Sequence, residues 1–138
     1  MKTPETFALC VIGNCPVADN CLRRQALVQM DAPRRDVITT INPIGLTPGA
    51  DCPHFRSVEP IRIAYGFRGA LSAIPHGNVG MLKTEISNHF CLRNYYHLRN
   101  GERSMTPNEQ EVVAKILERY GATAPIRFDR YADDYQWF

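Results

Sequence analysis

The sharpest apolar–polar pattern lies in "TPNEQEVVAKILERYG", residues 106–121. Val112, Val113, Ile116, Leu117 and Tyr120 recur at helical spacing, which places one apolar face against a core. Thr106 is a natural N-cap, Pro107 suits the first helical position, Glu109 completes a capping box, and Gly121 is the stop. Upstream, "NVGMLKTEISNHF" sets Val79, Leu82, Ile86 and Phe90 on one stripe, and "CLRNYYHLRN", residues 91–100, predicts a short helix ended by Gly101. Pro60 is a good first-turn residue, so "IRIAYGFRGALSAI" is expected to form a helix that Pro75 and Gly77 end. Earlier still, "VADNCLRRQALVQM" carries Cys21, Leu22, Ala26 and Leu27 at helical spacing and should stop near "DAPRR", because Pro33 disfavours helix in the residue before it.

The β signal is small. "DVITTI", residues 36–41, is β-branched and predicts a short strand, followed by the Pro/Gly-rich loop "NPIGLTPGADCP". The tail "FDRYADDYQWF" spaces Phe128, Tyr131, Tyr135 and Phe138 almost helically and is expected to pack on the body. The pattern predicts a mainly α, small helical domain with at most a minor β element and a Cys-rich irregular N-terminal region. A chain of 138 residues fits one domain. Its expected parts are a Cys-rich region 1–56, a helical body 57–121 and the aromatic tail 122–138.

Composition changes this picture little. The chain is 44% hydrophobic and 22% charged with a net charge of +2, so it is globular and its global charge does not point to nucleic acid. Its basic side is mostly Arg, since only Lys2, Lys83 and Lys115 are lysines, and Arg suits bidentate contacts to phosphate or carboxylate. No run of about 18 apolar residues predicts a membrane span. "MKTPETFALCVIGNCP" is a poor signal peptide, interrupted by Pro4 and Glu5. The expected compartment is the cytoplasm, where disulfides are rare and clustered thiols bind metal or do chemistry. An odd count of five cysteines also suits a disulfide framework badly.

Cys10, Cys15, Cys21 and Cys52 are separated by four, five and thirty residues. Four thiolates can enclose a tetrahedral zinc or hold an iron–sulfur cluster. Cys15 and Cys52 are each followed by Pro, which fixes the chain direction and removes an amide donor beside a ligand. The spacing is not that of a close-paired zinc ribbon, and it does not separate zinc from iron–sulfur. The alternative is that these are small buried side chains. His54 could replace a thiol or cap the loop, and Cys91 reads as core packing. A nucleophilic cysteine with His54 or His76 as base would make a thiol enzyme, but no local signature marks one.

The helix at 79–90, a break near Cys91 and the helix at 92–100 resemble the bihelical part of small DNA-binding repressors. The second helix would present Arg93, Asn94, His97 and Arg99, with Arg103 beyond the Gly101 turn, to phosphates and base edges. Against this, residues 81–120 hold six basic and five acidic groups, so the segment is nearly neutral. An ordinary αα-hairpin with core tyrosines and solvated arginines fits the same residues. Arg23, Arg24, Arg34 and Arg35 form a basic cluster around the first helix. Gly66 and Gly69 in "YGFRGA" lack the context of a phosphate loop and are expected to allow close helix approach.

"CPVADNCLRRQA", "CPHFRSVEPIRIAYGF", "YYHLRNGERSMTPNEQ" and "RFDRYADDYQWF" resemble a family of small proteins of unknown function from gut anaerobic bacteria. The resemblance runs from Phe7 to Trp137. It implies an intracellular bacterial protein, an aromatic residue where His54 stands, and no activity or ligand. The combined expectation is a metal-binding regulatory protein rather than an enzyme. Cys10, Cys15, Cys21 and Cys52 would hold zinc or an iron–sulfur cluster, and Arg93, Asn94, His97, Arg99 and Arg103 would meet nucleic acid. The alternatives are a protein-interaction adaptor with structural cysteines and no metal, and a thiol or iron–sulfur redox enzyme. The target and the oligomeric state stay open.

Overall fold

The computed structural model describes residues 1–30 and 36–137. The expected helix stop at "DAPRR", with Pro33, Arg34 and Arg35, and the aromatic Phe138 lie outside the described residues. The chain divides into two compact units, one of residues 1–60 with 135–138 and one of residues 61–134.

The second unit begins with strand β1 (Ile61–Tyr65), followed by helices α2 (Arg68–Ser72), α3 (His76–Phe90) and α4 (Leu92–Asn100). Strand β2 (Ser104–Met105), helix α5 (Pro107–Arg119) and strand β3 (Arg130–Asp134) complete it. The strands form an antiparallel sheet of order β2-β1-β3, with Ile61 opposite Asp134 and Tyr65 opposite Arg130. The mainly α expectation is therefore corrected: 39% of the described residues are helical and a three-stranded sheet runs beside the helices. The helix expected from Pro60 is two elements. Ile61 and Ile63 are β-branched and alternate with Arg62 and Ala64, which suits the central strand of a pleated sheet. Gly66, at φ 72°, then breaks the strand before the short α2. The tail, whose aromatics are spaced almost helically, contributes β3.

The α5 signals are realised in full. The Thr106 hydroxyl accepts from the Glu109 amide and the Glu109 carboxylate accepts from the Thr106 amide, with Pro107 in the first turn. Val113, Ile116 and Leu117 are buried beside Leu82 and Ile86 of α3 and Tyr95 and Leu98 of α4. Gly101 ends α4 in the left-handed conformation, φ 75°, where no Cβ has to be accommodated. The break between α3 and α4 is Cys91 itself, at φ 65° and ψ 158°, a region that only Gly occupies readily.

The first unit has little regular structure: a 3-10 turn at Ala18–Asn20 and helix α1 (Leu22–Val28). Cys21, at φ −98° and ψ 115°, separates them, so the helix expected through residues 17–30 is broken at that thiol. The strand expected at 36–41 is reduced to one parallel bridge, Leu9 with Thr40. The core is small: Phe7, Leu9, Leu22, Ala26 and Trp137, with Phe7 and Trp137 edge to face at 5.0 Å.

Candidate functional site

In the first unit, backbone bridges bring distant thiols together. Leu9 donates to Thr39 and accepts from Ile41, which lays the segment carrying Cys10 beside residues 39–41. The Cys10 amide donates to the Arg23 carbonyl at 3.1 Å. Leu22 donates to the Arg56 carbonyl at 2.7 Å and Val58 to that of Asn20 at 3.1 Å, which joins the segment carrying Cys21 to residues 56–58. The chain is thereby stitched across the thirty residues between Cys21 and Cys52.

Cys15 and Cys52 occupy equivalent places in two tight turns. The Ala18 amide donates to the Cys15 carbonyl at 3.1 Å, and the Phe55 amide donates to the Cys52 carbonyl at 3.0 Å. Each turn thus has Cys first and Pro second, in Cys15-Pro16-Val17-Ala18 and Cys52-Pro53-His54-Phe55. Proline's fixed φ suits the second turn position, and its missing N–H costs nothing there.

All four cysteines line one cavity of about 20 Å³, with Arg23, His54 and apolar side chains including Ile12, Val17 and Leu46. Cys10 and Cys21 are buried, Cys15 and Cys52 are half-buried, and all are free thiols. Cys91 belongs to the second unit and is exposed, not the core residue expected of it. As they stand, the thiols surround the cavity without meeting at a point. Among the described residues, no three His, Cys, Asp or Glu side chains are grouped to hold an ion.

Arg23 crosses this site. Its Nε donates to the His54 carbonyl at 2.9 Å, a terminal nitrogen donates to the Ala8 carbonyl at 2.6 Å, and its guanidinium lies 4.7 Å from the Phe7 ring centre. It therefore clamps the Cys52 turn to the segment preceding Cys10. Burial is the main cause lowering its pKa from the ordinary arginine value, and Arg56 adds to that. Cys21, Cys10 and Cys52 oppose the shift, because negative charge on those thiols favours the cation. What Arg23 grips at position 54 is the carbonyl; the residue itself is exposed.

The other predicted residues share α4 and the turn after it, but several are engaged internally. His97 pairs with Glu102, and Arg103 pairs with Glu109 at 2.8 Å while lying over the Phe90 ring. Arg99 donates to Asn100 and lies 5.0 Å from the Tyr96 ring centre. Arg93 is exposed and Asn94 half-buried. Carboxylates thus offset two of the four basic side chains proposed for phosphate contact.

Residues that sequence reasoning passed over form a second constellation, in the second unit. The Asp129 carboxylate accepts from the Arg68 and Gly69 amides, both at 2.9 Å, and so caps α2, whose own N-cap residue Phe67 has no capping side chain. Arg68 in turn donates through Nε and a terminal nitrogen to Asn100 Oδ1 at 3.1 and 2.7 Å. A partner sixty residues away leaves no local signal; only the glycines of "YGFRGA" hint at a close approach.

These features define a small α+β protein with a thiol-lined cavity in an irregular N-terminal unit. The chain belongs to a family of unknown function (DUF6078), whose profile matches residues 1–137. Neither a curated protein nor a solved structure matches it. Among the described residues, no helix is long and apolar enough to cross a membrane.

Proposed function

We propose that the N-terminal unit takes up one zinc ion through Cys10, Cys15, Cys21 and Cys52, and that the metal organises a small regulatory binding protein. The observation that carries this reading is the convergence of four free thiols, spread over residues 10–52, on one cavity. Its size favours a single ion over a cluster. About 20 Å³ is room for roughly one water-sized body, and several irons with sulfide would need it to expand. Two Cys-Pro turns aim half-buried thiols that can rotate inward when a cation draws them. Four thiolates around Zn²⁺ leave a double negative charge, and the Arg23 guanidinium stands beside them to offset it.

The energetic need is plain. A unit of little more than sixty residues, whose core cluster among the described residues is Phe7, Leu9, Leu22, Ala26 and Trp137, gains only about 3–5 kcal/mol from it. Thiolate zinc contributes about 10 kcal/mol or more near neutral pH. The resemblance to proteins of gut anaerobes keeps an iron–sulfur cluster as the alternative occupant. The nucleic-acid reading of Arg93, Asn94, His97, Arg99 and Arg103 is weaker, since Glu102 and Glu109 already engage His97 and Arg103.

Anaerobic purification followed by elemental analysis and an absorption spectrum tests the reading. The expected result is one zinc per chain and no visible absorption. Iron with sulfide-to-iron absorption would replace zinc by a cluster. Metal-free protein whose thermal stability ignores added zinc would overturn the metal site.

A further inference from the structure

The second unit holds a shallow, open pocket of about 390 Å³, lined by Arg68, Leu71 and Ser72 of α2, Ile74 of the turn that follows, His76 and Val79 of α3, and Arg99 of α4. That volume lies within the range of small-molecule sites. Its charge is one-sided. Arg68 and Arg99 both donate to Asn100 Oδ1, at distances from 2.7 to 3.1 Å, so a single neutral oxygen holds two guanidinium groups together. Elsewhere in this unit Arg103 and Arg119 pair with Glu109 and Glu85. Among the described residues, neither Arg68 nor Arg99 has a carboxylate ion-pair partner. Of the nearby acids, Asp129 is committed to the α2 amides, and Glu102 binds His97 and Asn100 and feels Arg68 only through space, without an ion pair.

Two cations pinned side by side repel each other, and an anion relieves that repulsion. The fork of a guanidinium carries five N–H donors. Arg68 spends two on Asn100, and Arg99 spends one there. The remaining donors are pre-oriented for the bidentate geometry that phosphate oxygens accept. His76 is the first residue of the fifteen-residue α3, whose first turn has no acidic residue and no side-chain cap, so the positive end of that helix adds to the same wall. Leu71, Ile74 and Val79 supply an apolar side.

We propose that this pocket binds a small organic phosphomonoester, its dianionic head on Arg68 and Arg99 and its apolar body against Leu71, Ile74 and Val79. This inference is independent of the zinc reading, because every residue it uses lies in residues 61–134.

Calorimetric titration of the full chain with phenyl phosphate tests it, with inorganic phosphate and benzoate as comparison probes. Phenyl phosphate is expected to bind at least several-fold more tightly than either. Arg68→Met and Arg99→Met should each weaken it about tenfold or more, as loss of a charge-assisted hydrogen bond implies. Arg68→Lys, which keeps the charge and loses the fork, should also weaken it. Arg127→Met, an exposed arginine outside the pocket, should leave it unchanged. The α2 cap runs through the Arg68 amide, so Arg68→Met keeps it, and that variant decides the matter even if Arg99→Met unfolds. No binding of phenyl phosphate at millimolar concentration would overturn the proposal. Binding that ignores Arg68→Met, or that Arg127→Met weakens equally, would also overturn it.

Discussion

Replacing Gly66 by Ala should cost far more than a surface methyl group ordinarily does. Gly66 sits at φ 72°, where an L residue pays about 1–2 kcal/mol. A Cβ there would stand 2.5 Å from Asp129 Oδ2 and 3.2 Å from its Cβ and Cγ, so the carboxylate must move. Moving it breaks the bonds to the Arg68 and Gly69 amides. Those bonds are solvent-exposed, which holds them to about 1 kcal/mol each. Ala also restricts the unfolded chain, which returns about 0.5 kcal/mol. The net loss is about 3 kcal/mol, a large share of the ~5–15 kcal/mol that holds an ordinary domain together. At roughly 4 °C per kcal/mol it lowers Tm by about 12 °C. Urea denaturation of Gly66→Ala, Asp129→Ala and the double variant measures it. If the carboxylate is the obstacle, Gly66→Ala should cost only its conformational part once Asp129 is gone, giving a coupling of about 2 kcal/mol. Costs that add within about 0.5 kcal/mol would refute the reasoning.

Cys91→Gly should stabilise the second unit by about 1 kcal/mol. It relieves a backbone region that costs a non-Gly residue about 1–3 kcal/mol and gives part back as unfolded-state entropy; a lowered midpoint in urea would contradict it. Arg23→Met removes two charge-assisted bonds across the thiol cavity and should cost about 2–4 kcal/mol, with faster alkylation of Cys52 than in the parent protein. Unchanged alkylation would show that the clamp does not hold the turn. The Glu102 carboxyl lies below the ordinary carboxylate value, chiefly through its hydrogen bond with His97. A depressed folded pKa means that the contribution is present above the unfolded value of about 4.5 and is lost as pH falls through the folded value. Carbon-detected NMR titration should place the Glu102 midpoint below that of the unfolded chain and return it toward normal in His97→Ala; an unshifted midpoint would count against the pairing.

Local chemistry was the legible part of the sequence. Thr106, Pro107, Glu109 and Gly101 act on neighbours within a turn, so α4 and α5 could be read directly from their caps. The short apolar run Ile61–Tyr65 could not, because five residues fit either period and the strand's partner, β3, begins sixty-five residues after Tyr65. The tail stripe misled for a related reason. Phe128 is buried in one core cluster, Tyr131 stays exposed on β3 under Arg62, and Tyr135 packs in the other cluster, so the spacing was shared between two units. The thiols were legible as a group because cysteine is scarce and proline follows two of them. The clamp formed by Arg23 and the capping by Asp129 were not, since both depend on contacts made only after the chain has folded.

The central claim is that four sulfurs share one ion. X-ray absorption at the zinc edge of the purified full-length protein tests it most directly. The account predicts a first shell of four sulfurs and nothing lighter, at about 2.3 Å. A shell dominated by nitrogen or oxygen would contradict it.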